Sequence, residues 1–168
     1  MKRSITSLFV AFALLVSISA NAQIEKHQAT FIYNFTRLVQ WPELYKESSF
    51  VIGVMGSNQA ITRELKEGMG ERTVAGKNIE IVEYSSAAEL GKCHLLFIPN
   101  RYLGQLDKVV DAIGKNPVLL VTENQGRHPG GSAINFAVED GKLGITLDEE
   151  ITQNRNLLVS RQLANFSR

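Results

Sequence analysis

The sequence predicts an α/β fold: a mostly parallel central sheet of about six strands, flanked by helices, with an antiparallel C-terminal hairpin. Three observations predict it. The apolar runs Phe50–Met55, Cys93–Ile98 and Val118–Thr122 mark strands covered on both faces, as parallel strands are. Between them, apolar residues recur at spacings of three and four, the period of an amphipathic helix. After residue 124 the pattern becomes two alternating runs, Ala133–Glu139 and Lys142–Asp148. Asp140-Gly141 separates them, a dipeptide that favours a tight hairpin turn.

The first 22 residues read as an export signal and not as part of the fold. Lys2 and Arg3 give a positive start, and Leu8–Ile18 is an apolar run of eleven residues. As a helix that run is about 16 Å long, too short for a hydrocarbon core of about 30 Å. Ala20-Asn21-Ala22 supplies the small-x-small pattern of a cleavage site near Ala22. Cleavage there leaves one domain, residues 23–168, with 16 basic and 17 acidic side chains. A basic start without a lipid-accepting cysteine near the cleavage site makes a bacterial periplasm the expected compartment.

The elements follow in order. Phe31, Ile32, Phe35, Leu38 and Val39 give residues 25–40 one broad apolar face, so a helix is expected, ended by Trp41-Pro42. Strand 50–55 leads through Gly56-Ser57-Asn58, a turn and helix N-cap, into a helix over 58–68. A second strand covers 78–84, and Ser85 or Ser86 caps a short helix through Leu90. The third strand, 93–98, ends at Pro99-Asn100, and helix 101–114 turns Leu103, Leu106, Val109, Val110 and Ile113 inward. The fourth strand is 118–122, and the glycine-rich stretch Gln125–Ser132 is a loop before the hairpin. Residues 149–155 form a helix that Asn156 ends in the left-handed conformation. Ser160 caps a last short helix holding Leu163 and Phe166.

Charge and composition narrow the function. The chain has 168 residues, 18 of them Lys or Arg and 17 Asp or Glu. That balance offers no polyanion-binding surface, so nucleic acid is not an expected partner. One cysteine, Cys93, excludes an internal disulfide and a thiolate zinc site. His27, His94 and His128 have no metal-ligand spacing, and no metal or cofactor is expected. Cys93 and His94 are neighbours on a strand, hence on opposite faces, and cannot form a nucleophile–base pair. One is expected to be buried and the other exposed. Neither a GxSxG elbow nor a GxxxxGK[ST] loop is present, and no catalytic residues are assigned.

Open parallel sheets bind ligands beyond the carboxyl ends of their strands. Six residues fall there as ligand-binding candidates: Ser57, Asn58, Asn100, Arg101, Glu123 and Asn124. Free helix N-terminal amides at that edge would suit an anion. The competing reading is that Ser57, Asn58 and Asn100 only cap helices and turns. Partner-binding candidates are Tyr33 and Arg37, off the main apolar face of the first helix, together with the closing segment Leu157–Phe166. Trp41, Phe31 and Phe35 are expected in the core.

Four segments in order resemble the YfiR-like family of exported bacterial proteins. They are Ala29-Thr-Phe-Ile-Tyr-Asn-Phe-Thr-Arg-Leu-Val-Gln-Trp-Pro42, Phe50-Val-Ile-Gly-Val-Met-Gly56, Lys92-Cys-His-Leu-Leu-Phe-Ile98, and Gly130-Gly-Ser-Ala-Ile-Asn-Phe136 followed by Glu139-Asp-Gly-Lys-Leu143. The resemblance spans about residues 25–166. It departs at Thr146, where the family has asparagine, and at Asn156, where it has glycine. It implies a regulator and not an enzyme: a periplasmic protein, dimeric in some relatives, that binds and inhibits a membrane signalling partner such as a diguanylate cyclase in cyclic-di-GMP signalling and biofilm control. It also implies an outer-membrane lipoprotein that sequesters the inhibitor. The alternative from the residues themselves is a periplasmic solute-binding domain with its cleft at the strand ends.

Overall fold

A computed structural model describes residues 23–124, 127–139 and 142–167. The expected export signal, the expected turn at residues 140–141, residues 125–126 of the expected glycine-rich loop and residue 168 lie outside the described residues. Helix α1 runs over residues 23–38 and passes directly into β1 (Val39–Gln40). Then come β2 (Ser49–Met55), α2 (Ala60–Met69), β3 (Thr73–Val74), β4 (Lys77–Tyr84) and β5 (Leu95–Ile98). A 3-10 turn, Asn100–Gln105, leads into α3 (Leu106–Ile113) and β6 (Leu119–Glu123). The chain closes with β7 (Ile134–Glu139), β8 (Lys142–Leu147), α4 (Glu149–Asn154), β9 (Leu158–Val159) and α5 (Arg161–Phe166).

Among the described residues, the main sheet has seven strands in the order β3-β4-β2-β5-β6-β7-β8. Strands β4, β2, β5, β6 and β7 run parallel, and β3 and β8 are antiparallel edges. The first arm of the expected hairpin therefore extends the parallel sheet while its second arm closes it. A second, two-stranded antiparallel sheet pairs β1 with β9. None of the two-residue strands β1, β3 and β9 is long enough to show a period in the sequence.

Strand periodicity sorts the core into two layers. Leu95 and Phe97 of β5 join Leu119 and Val121 of β6 on one face, packed with Ile32, Phe35, Ile61 and Leu65 from α1 and α2. Leu96, Ile98 and Leu120 face the other way, against Leu106, Val109 and Ile113 of α3. Both faces are covered, so Cys93 and His94 are both 6% exposed and the expected exposure of one of them is corrected. They do lie on opposite faces: Cys93 sits in the α3 layer, and His94 stacks on Phe50 at 4.8 Å. Phe35 and Phe31 pack on the Phe136 ring at 5.7 and 6.0 Å, and Trp41 is buried, as the helical spacing predicts. Trp41 Nε1 donates to the His94 carbonyl at 3.0 Å, fastening the end of α1 to β5.

The Ser160 cap and the left-handed Asn156 are as expected: Ser160 accepts from the Leu163 amide, and Asn156 has φ +56°. Asp148 adds a cap of its own, accepting from the Ile151 amide. Phe166 is not held inward but is 59% exposed.

Candidate functional site

The strand order reverses between β2 and β5, because the chain leaves β2 for β4 on one side and returns to β5 on the other. Such a reversal opens a crevice at the carboxyl ends of the strands. There the structure has a cleft of about 520 Å³, with Phe97 among its walls. Asn58, Asn100, Arg101 and Glu123 line it, four of the six expected ligand residues. Ser57 and Asn124 do not. Ser57 Oγ pairs with Ser85 Oγ at 3.2 Å, and Asn124 Nδ2 donates to the Arg127 carbonyl at 2.8 Å.

Gly56 makes the turn out of β2. It has φ +97°, and a Cβ there would lie 2.2 Å from the Tyr102 ring. Only glycine meets both conditions. Asn58 follows at φ +54°, one of the few residue types that tolerates it. The α2 N-terminus then starts at Gln59, without a side-chain cap of its own. Its amides are nevertheless not free. The Glu83 carboxylate, from the end of β4, accepts from the Asn58 and Gln59 amides at 3.0 and 2.9 Å and from Thr62 Oγ1 at 2.6 Å. A built-in anion thus occupies the amides that would have suited a bound one, and the expected N-cap at Ser57-Asn58 is corrected. Burial works against the Glu83 charge, but the bonds from Thr62, Gln59 and Asn58 outweigh it and hold the carboxyl below its ordinary value.

Glu123 ends β6 and holds the cleft together. One carboxylate oxygen accepts from Gln28 Nε2 at 3.0 Å and the other from the Asn100 amide at 3.4 Å. Gln28 is only 2% exposed, and with Glu25 it forms the α1 wall of the cleft. Burial, then the nearby Glu123 and Glu64 charges, push the Glu25 carboxyl up, with Arg63 opposing. Arg101 stands at the rim, its guanidinium 5.2 Å from the Tyr102 ring centre. Sequence reasoning missed Glu25, Gln28 and Glu83. For Gln28 a signal existed, since residues 28, 32 and 35 share one helix face and all are buried.

The remaining reactive groups are committed elsewhere. Burial pushes the Cys93 thiol up to about 12, so it stays protonated. His94 Nδ1 accepts from the Val51 amide at 2.9 Å, and burial lowers its pKa. His128 bridges Thr146 Oγ1 at 2.6 Å and the Ser132 carbonyl at 2.8 Å. Since the carbonyl only accepts, it is Nε2–H that donates to Ser132. Among the described residues, no three His, Cys, Asp or Glu side chains are placed to hold a metal ion. Among the described residues, too, no helix is long and apolar enough to cross a membrane.

Tyr33 and Arg37 lie at the opposite end of the molecule. Both line a second, open groove with β1 and β3. Tyr33 is half-buried beneath the Arg72 guanidinium, 4.5 Å from its ring centre, and Arg37 is exposed.

Fold and cleft together define an open-sheet α/β domain whose strand ends meet at a switch point. Compared with protein families, the chain matches the YfiR/HmsC-like family over residues 25–168, and it belongs to that family. The match covers the whole span that carries the four segments quoted above. Membership points to a periplasmic regulator of diguanylate cyclase signalling that acts with membrane signalling proteins, a regulatory and not a catalytic class. No curated protein matches the chain.

Proposed function

We propose that this chain is exported through its first 22 residues, cleaved near Ala22, and acts as a non-enzymatic inhibitor. It binds the periplasmic segment of a membrane signalling partner, a diguanylate cyclase in the first instance, and holds its output down. Homodimer formation and capture by an outer-membrane lipoprotein belong to the same reading. The observation that carries it is the family match across residues 25–168. The test is co-expression of the exported chain with a tagged membrane diguanylate cyclase of the same bacterium that has a periplasmic segment. Co-purification of the two, and a rise in cyclic-di-GMP when the chain is deleted, are expected. A cyclase that neither binds the chain nor responds to its deletion overturns the reading.

One observation favours a second role, capture of a small solute in the strand-end cleft. Asn58, Asn100, Arg101 and Glu123 come from three separate segments and converge on one 520 Å³ space. In a thermal-shift screen of common metabolites, a ligand of this cleft would raise the melting temperature of the wild type. It would raise that of Asn100→Ala and Arg101→Ala less. Equal shifts in all three would remove the cleft from consideration.

A further inference from the structure

We propose that the open groove between the end of α1, β1 and the outer edge of β3 docks an extended, acidic segment of a protein partner. The identity of that partner rests on the regulator reading above; the chemistry of the groove does not.

The groove has a volume of about 770 Å³, and its lining includes Arg37 and Lys77 but no acid. Arg72 adds a third cation above Tyr33. Among the described residues, none of these three has a carboxylate within ion-pair distance. Two acids beside the groove are ion-paired to other lysines, Glu43 to Lys46 at 2.6 Å and Glu47 to Lys92 at 2.5 Å, and Glu47 feels Lys77 only at longer range. Those two acids line a different cavity. The local positive field is therefore not a by-product of composition, since the whole chain has 18 basic and 17 acidic residues.

Backbone geometry favours a peptide over a small anion. Among the described residues, β3 is the outermost strand on its side of the main sheet, and β1 pairs with β9 alone. Each leaves one row of main-chain N–H and C=O groups without a strand partner among the described residues, and Val39, Gln40, Thr73 and Val74 line the groove. Such edges are what an added strand uses. Tyr45, 72% exposed, gives an apolar face for alternate side chains of an extended segment. A second copy of this chain fits less well. Two-fold pairing would set the same cations against one another.

The test uses the full chain exported to and purified from the periplasm. The probe is a fluorescein-labelled dodecapeptide of alternating glutamate and tyrosine, with an alternating lysine–tyrosine peptide and free glutamate as controls. The double reversal Arg37→Glu/Lys77→Glu is expected to weaken binding of the Glu/Tyr peptide at least tenfold. Lys108→Glu, on α3, is expected to leave it unchanged. Equal binding of the Lys/Tyr peptide, competition by free glutamate at equal concentration, or wild-type affinity in the double reversal would overturn the proposal. Should that variant not fold, Arg37→Gln/Lys77→Gln takes its place with the same criteria. The tagged cyclase supplies the second arm. If wild type and double reversal retain it equally, the groove is not its docking site, and the regulator reading stands. If wild type does not retain it, yet the reversal abolishes peptide binding, the regulator reading falls and the acidic-peptide groove stands.

Discussion

Glu83 shows how much one side chain can decide. Its carboxylate occupies the amides at the start of α2 and closes that helix end to outside anions. Because its folded pKa is depressed, it contributes stability that is present above the ordinary carboxylate range and lost as pH falls through the folded value. Glu83→Gln keeps the shape but weakens the acceptor. It should cost about 1 kcal/mol at neutral pH, as loss of a helix cap does, and make urea midpoints fall less steeply between neutral and acid pH. Glu25 has the opposite sign. Its raised pKa means that ionisation opposes folding, so the loss appears as pH rises through the folded value. Glu25→Gln should therefore raise the melting temperature at pH 7 and leave it unchanged well below the carboxylate range. A lower melting temperature at pH 7 would contradict that electrostatic account.

At the scale of elements, buried polar groups act as fasteners between segments distant in sequence. Arg155, directly after α4 and 5% exposed, donates to the Val118 carbonyl at 3.4 Å and the Gly131 carbonyl at 3.1 Å. It joins the start of β6 to the turn before β7. Arg155→Lys keeps the charge but loses the fork that spans two carbonyls. It should destabilise by about 1–3 kcal/mol in urea unfolding, the usual cost of leaving buried polar groups unpaired. None of this was legible beforehand, because a lone arginine after a short helix reads as a surface residue. The long strands and helices were legible, since their apolar periods span five or more residues. The two-residue strands were not: their pairing is set by where the larger elements bring them. The candidate cleft was half legible. The strand-end rule located Asn58, Asn100, Arg101 and Glu123, whereas the wall from α1 depends on how that helix packs across the sheet.

For the whole molecule, the domain limits and export are checked by mass. The protein recovered from the periplasm should lack residues 1–22 and begin at Gln23, which intact-mass spectrometry reads directly. A full-length mass would place the leader within the working protein. The parallel order of β2, β5 and β6 was legible from their continuous apolar character. The closing of the chain on itself was not. The β1–β9 pair clasps the segment after the first helix to one near the carboxyl end: Val39 faces Val159 and Gln40 faces Leu158. Proteolytic trimming of the last dozen residues, from Leu157 onward, would thus unlatch the opposite end of the polypeptide. The tail is a buckle, and damage to it would be felt first at the beginning of the fold.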